Sequence, residues 1–129
     1  MSRAPTQAAF VRLFADAAGE SHFEDVRAEL APADFAPPAP PLLLSPAMRA
    51  EGLVFLAAPE GWYGEWHPAP RRQVFAFLSG EIEVEASDGQ RRRFVPGACL
   101  LMEDTVGRGH ATRNVGAGVV LMLVTQLSV

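Results

Sequence analysis

Few side chains in this sequence can do chemistry near neutral pH, and they can be taken one at a time. Two of its three histidines, His67 and His110, sit near the ends of the stretch 66–114. An unperturbed imidazole titrates at about 6.5, so either ring can act as general base or general acid. The competing reading of each is a ring that only hydrogen-bonds a neighbour. Glu103 shares strand parity with Cys99 and Leu101. If that face turns inward, its carboxylate is a further base or an anionic ligand; otherwise it is a solvated charge at a strand end. Arg72 and Arg113 have the forked guanidinium that clamps a carboxylate, against a plain surface role. Cys99, the only cysteine, lies in an apolar run with no neighbour to lower its pKa, so it reads as a small core residue and not a nucleophile.

Composition narrows what such residues can serve. The chain has 129 residues, enough for one domain over 1–129 with a real core. At 49% hydrophobic against 20% charged, it buries enough apolar surface to fold. The net charge is −4, and the one basic run, Arg91-Arg92-Arg93, is short and preceded by Asp88. That excludes the broad positive face nucleic acid requires. A single cysteine forbids an intrachain disulfide and suits a reducing compartment. The N-terminus has no secretory pattern and the longest apolar run, 119–124, is too short to span a bilayer, so the expectation is a cytoplasmic protein without membrane contact.

The elements that must position these residues read as strands. Residues 8–15 fit a short helix by alanine content and a strand by alternation; the turn and the alternating segment after them favour a hairpin. The proline-rich run 31–46 reads as a surface connector without regular structure. A short strand follows at 53–57. In 62–67, Tyr63, Glu65 and His67 share one face, Trp62, Gly64 and Trp66 the other, and the tryptophans read as packing residues ahead of a ligand-stacking platform. Residues 73–78 form a strand. Glu81 to Ala86 alternates acid with apolar residues, which places Ile82 and Val84 inward. Asp88-Gly89 is a hairpin signal, and 91–94 returns with arginines opposite those glutamates. Pro96-Gly97 makes a corner, 98–102 a buried strand, and 110–115 another. The last strand, 119–127, is apolar enough to be buried on both faces, inside a barrel or against a second subunit. About ten short strands with glycine and proline punctuation predict an all-β sandwich or barrel.

Within 67–114 the spacing resembles the two motifs of the cupin superfamily, the small double-stranded β-helix or jelly-roll barrels. The first motif is a His-x-His pair, a Glu four residues later and a Gly seven further on. Anchored on Gly80, it places His67 and Ala69 at the histidines and Gln73 at the glutamate. The second, Pro-x-Gly, two residues, His, three residues and Asn, falls on Thr105, Gly107, His110 and Asn114. The segment Gly19 to Asp25 also resembles the Gly-x-Ser-His-Phe-Glu-Asp opening of a group of small bacterial cupins.

The resemblance implies a single cupin domain with 66–114 as its motif-bearing core. It also implies a pocket holding His67, Gln73 and His110, walled by Tyr63, Phe75 and Phe77. A cupin metal site has three imidazoles and a carboxylate around an octahedral ion. Here Ala69 and Gln73 replace one imidazole and the anion, leaving His67, Gln73 and His110 as ligands for a loosely held divalent ion (Mn, Fe, Ni or Zn) or for none. Two functions stay open. One is a small enzyme acting on an organic molecule such as a carbonyl or enol compound, through that metal or through proton transfer by His67, His110 and Glu103. The other is a non-catalytic cupin with a vestigial metal site that binds a small molecule or only dimerises. Exposed sheet edges and the apolar last strand point to a homodimer.

Overall fold

A computed structural model of the chain describes residues 6–129. Its strands are β1 (Gln7–Ala15), β2 (Ser21–Glu29), β3 (Ala31–Ala33), β4 (Leu42–Leu44), β5 (Ala50–Ala58) and β6 (Tyr63–His67). They continue as β7 (Gln73–Ser79), β8 (Ile82–Ala86), β9 (Arg91–Phe94), β10 (Cys99–Glu103), β11 (His110–Asn114) and β12 (Val120–Leu127). The described residues contain no helix long and apolar enough to cross a membrane.

The strands form a larger sheet in the order β2-β1-β10-β7-β12-β5, a smaller one in the order β6-β11-β8-β9, and the small ribbon β3-β4. Period-2 alternation decides which face each strand buries. Phe75 and Phe77 of β7, Leu100 and Met102 of β10, and Met122 and Val124 of β12 point inward from the larger sheet. They meet Ile82 and Val84 of β8 and Phe94 of β9, with the Phe77 and Phe94 rings stacked at 5.1 Å. Each such side chain contributes about 1.5–3 kcal/mol of burial before entropy is counted. On the solvent face of the smaller sheet, Glu83 and Glu85 lie among Arg91, Arg93 and Arg113, as the alternation predicts. The Asp88-Gly89 turn is present, with Gly89 at φ 95°.

The segment at 8–15 is β1, and it pairs with β2 through nine residue pairs as a hairpin. Three expectations are corrected. The connector 31–46 contains β3 and β4, where Pro32 sits opposite Leu43; a two-stranded ribbon has one ladder only, so a proline costs it little. The last strand is not buried on both faces: β12 lies between β7 and β5, with Val120, Met122 and Val124 buried and Leu121 exposed on the outer face. The tryptophans are not core either, Trp62 being 41% and Trp66 46% exposed.

Candidate functional site

Inward parity brings polar groups to one end of the barrel. Gln73 opens β7 and is the partner of Met102 in β10 and of Gln126 in β12. Across from it, His110 opens β11 and is paired with His67 at the end of β6, the two rings 4.8 Å apart. Gly109 makes this pairing possible. Its φ is +75°, and a Cβ there would collide with the backbone of His67.

A cavity of about 280 Å³ runs inward from these residues. Its polar lining is His67, Gln73, His110 and Thr112, and the rest is apolar, including Phe75, Phe77, Ile82, Met102 and Met122. Of the lining residues, Leu56, Ala57, Trp62, His67 and Pro70 are exposed. The cavity therefore opens between β5 and β6, the edge strands of the two sheets.

The buried polar pair behind it is the strongest electrostatic feature of the site. Asp104, 0% exposed, places Oδ2 2.6 Å from Nδ1 of His110, itself 3% exposed. A buried charge needs such a partner. The backbone carbonyl of Asp104 accepts from the amide of Ala69 at 2.9 Å, which fixes the loop after β10. Asp104 Oδ1 has no hydrogen-bond partner among the described residues. His67 is held in the same way from the other side, its Nδ1 being 2.5 Å from the Glu65 carbonyl. In both rings the engaged nitrogen is Nδ1, and Nε2 has no protein partner among the described residues.

Of the residues expected in the pocket, His67, Gln73, His110, Phe75 and Phe77 line it, and Tyr63 and Glu103 do not. Tyr63 is on the outer face with the Arg113 guanidinium over its ring at 5.1 Å. The parity fails at a β-bulge: His110 pairs with His67 but Thr112 with Gly64, so β6 carries one extra residue between them. A bulge reverses inside and outside beyond it. Trp62 and His67 therefore both reach the cavity, and the Trp62 ring lies over the space that a Cβ on Gly64 would fill.

Glu103 faces out because Leu100 and Met102 face in. It is bonded to Arg12 at 2.5 Å and Arg72 at 2.6 Å. Partial burial works against its ionisation, but the two arginines together outweigh that and hold the carboxyl below its ordinary value. It is a structural anion. Arg72 is engaged by Glu103, and Arg113 lies by Glu83 and Glu85, so neither faces the cavity. Burial pushes the Cys99 thiol up, which suits an unreactive thiol, but Cys99 is half-buried on the Glu103 parity of β10 and is not the core residue expected.

Asn114 also has structural work. Its amide donates to the carbonyls of Pro59 and Gly118 at 3.0 and 2.8 Å and, more weakly, Ala58, tying two loops at the far end of the barrel. Sequence reasoning missed Asp104 and Thr112, and placed Trp62 with the packing residues ahead of a ligand-stacking role. Asp104 had a usable signal, since it continues the parity of Leu100 and Met102.

The donor set does not fit the metal site that the resemblance implies. Ala69 is a buried methyl outside the cavity lining, and Gln73 offers a neutral oxygen. The one nearby carboxylate is spent on His110 Nδ1, and no three His, Cys, Asp or Glu side chains among the described residues are grouped to hold an ion.

The sequence matches no family model and no curated protein. Solved structures are similar in fold. A cupin 2 conserved barrel domain protein from Salinispora arenicola is 14% identical with a TM-score of 0.50, over 78% of this chain and 76% of that one. A cupin domain from Bordetella pertussis is 14% identical with a TM-score of 0.49, over 78% and 94%. The cupin domain of Schizosaccharomyces pombe Cnp3 is 15% identical with a TM-score of 0.46, over 97% and 86%. At this identity the likeness concerns the fold. The chain is an all-β jelly-roll barrel of the cupin type.

Proposed function

We infer that the protein binds a small organic carbonyl or enol compound in the cavity and moves a proton on it, with His110 as base and Asp104 as its positioning residue. The observation that carries this is the 2.6 Å contact between His110 Nδ1 and Asp104 Oδ2. A carboxylate only accepts, so the ring holds its proton on Nδ1 and keeps a lone pair on Nε2. When Nε2 takes a proton from the carbon beside a carbonyl, the C–H electron pair passes into the enolate, and Asp104 stabilises the imidazolium formed. The Gln73 amide and the Thr112 hydroxyl are the donors at hand for the enolate oxygen. Return to the same carbon of a hydrogen that the His110 imidazolium has swapped with water is exchange; delivery to another carbon of a proton carried by His67 on Nε2, with His110 afterwards releasing its own to water, is isomerisation.

No step is routed through a metal. Two imidazoles and an amide lack an anionic ligand, so His67, Gln73 and His110 would hold Mn, Fe, Ni or Zn only loosely. Elemental analysis of protein purified without a His tag checks this, and a stoichiometric metal lost on His110→Ala would overturn the metal-free route. The setting we propose is the cytoplasm, in keeping with a single unpaired cysteine. The partner we propose beside the small molecule is a second copy of the chain.

The experiment is proton exchange at the α-carbon of a panel of small ketones and 2-oxo acids in deuterated water, followed by NMR. Wild type is expected to exchange at least one member, with His110→Ala slowing it by roughly a hundredfold or more. Asp104→Asn is expected to lower the rate and displace its pH profile. The apolar lining favours one other reading, a binding protein without catalysis: ligand line broadening with no exchange would replace the first reading by this one, and neither signal would sink both.

A further inference from the structure

We propose that Trp62 is a stacking platform and that the ligand is an aryl-alkyl ketone, its carbonyl meeting His67, His110 and Gln73 and its flat ring lying on Trp62 in the open seam between β5 and β6. This rests on the carbonyl-binding reading above and names the class of molecule. The Trp62 side chain lines the cavity yet is 41% exposed. It is laid along β6 toward the histidines, because the outer atoms of its ring occupy the space that a Cβ on Gly64 would need. A side chain at 64 would displace it.

The rings deeper in the cavity are already engaged, Phe77 being stacked with Phe94 at 5.1 Å and with Phe75 at 6.4 Å. Trp62 has no such partner: among the described residues no ring and no guanidinium is stacked on it. On the other side of the seam are Leu56 and Ala57, both apolar and exposed. A large, partly exposed aromatic facing apolar walls offers a slot for a flat apolar group, and the lining carries no formal charge apart from the two imidazoles. The register sets the spacing. His110 is paired with His67 and Thr112 with Gly64, so the ring edge over Gly64 lies about 7 Å along β11 from the histidines at the usual strand rise. A short methylene spacer between carbonyl and ring covers that distance. The seam is open beside Trp62, so the outer edge of the ligand ring stays in water and nothing there limits how far the ligand extends.

The test compares benzylacetone with its cyclohexyl analogue by titration calorimetry of the full chain. The cyclohexyl compound is the more apolar, so burial alone favours it, whereas stacking favours the flat ring. Benzylacetone is expected to bind wild type about two- to tenfold more tightly than the analogue, to lose that advantage in Trp62→Leu and to keep it in Trp62→Phe. It is also expected to quench tryptophan emission saturably in wild type and not in Trp62→Leu, where Trp66 alone reports. His110→Ala should weaken both compounds alike and leave their ratio in place. The wild-type comparison decides the matter even if a variant does not fold. A cyclohexyl analogue that binds as tightly as benzylacetone or more so overturns the proposal, and so does a preference that survives Trp62→Leu. If neither compound binds, the proposal falls; α-proton exchange of simple ketones in that case leaves the acid–base reading standing, and its absence takes both.

Discussion

His22 is bridged on both sides by carboxylates, with Nε2 2.7 Å from Asp16 Oδ2 and Nδ1 2.9 Å from Asp88 Oδ2. Carboxylates cannot donate, so both nitrogens carry hydrogens and the ring is an imidazolium clasping the β1–β2 turn to the β8–β9 turn. The bond to Asp16, and then that to Asp88, raises its pKa from 6.5. Asp16 in turn is lowered from 3.8, chiefly by the bond with His22. A raised histidine contributes stability that is complete below its unfolded value and lost as pH climbs through the folded one. The lowered Asp16 contributes above its unfolded value and loses it as pH falls. Thermal unfolding midpoints should therefore fall between pH 6 and 9 more steeply in wild type than in His22→Gln; equal slopes would show that the clasp contributes nothing. In the sequence this histidine stands in an alternating strand and in the Gly-x-Ser-His-Phe-Glu-Asp opening, and its role as a clasp is not legible there because its two partners lie in loops that only the fold brings together.

Elements differ in how plainly they were written. The β8–β9 hairpin was legible because one face is wet and the other buried, so charge and apolar residues alternate without interruption from Ile82 to Ala86. His67, Gln73 and His110 were legible as neighbours only through motif spacing. The outward turn of Tyr63 and the inward turn of Trp62 were not, since a bulge leaves no mark in residue type. The loop glycine at 109 is the element-scale determinant of the site. Gly109→Ala should cost about 1–3 kcal/mol for its left-handed backbone alone, and more for the collision with His67. Chemical denaturation measures the loss. His67 and His110 should also separate, seen as a changed histidine ring spectrum by NMR; a variant as stable as wild type would contradict the packing described.

The whole molecule leaves one flank unfinished. β5 is an edge strand, and Leu53, Val54, Phe55 and Leu56 are all exposed, Phe55 by 69%. Natural edges are usually blunted by lysine, proline or a short strand, and β5 is nine residues long with none of these in it. The proposed second copy would pair there, antiparallel to its equivalent, in an interface made of the same patch on both sides. Light scattering should give twice the chain mass at micromolar concentration, and Val54→Lys should give a monomer with its fold intact. A wild type that stays monomeric at high concentration would refute this. The all-β class was legible from punctuation and alternation spread over the whole chain. The exposure of this flank was not, because apolar residues look alike whether buried or bare.

The position of β12 has a consequence in time. It is the last strand in chain order, yet it occupies the slot between β7 and β5. A chain emerging from the ribosome has both walls of that slot made long before the strand that fills it, and an apolar β5 with nothing to pair with. Pairings between residues so distant in sequence are slow to form, and unpaired edges attract other chains meanwhile. The barrel therefore closes after synthesis of β12 and not during the strands before it, and its passage to the folded state is the interval in which this protein depends most on being kept apart from its own copies.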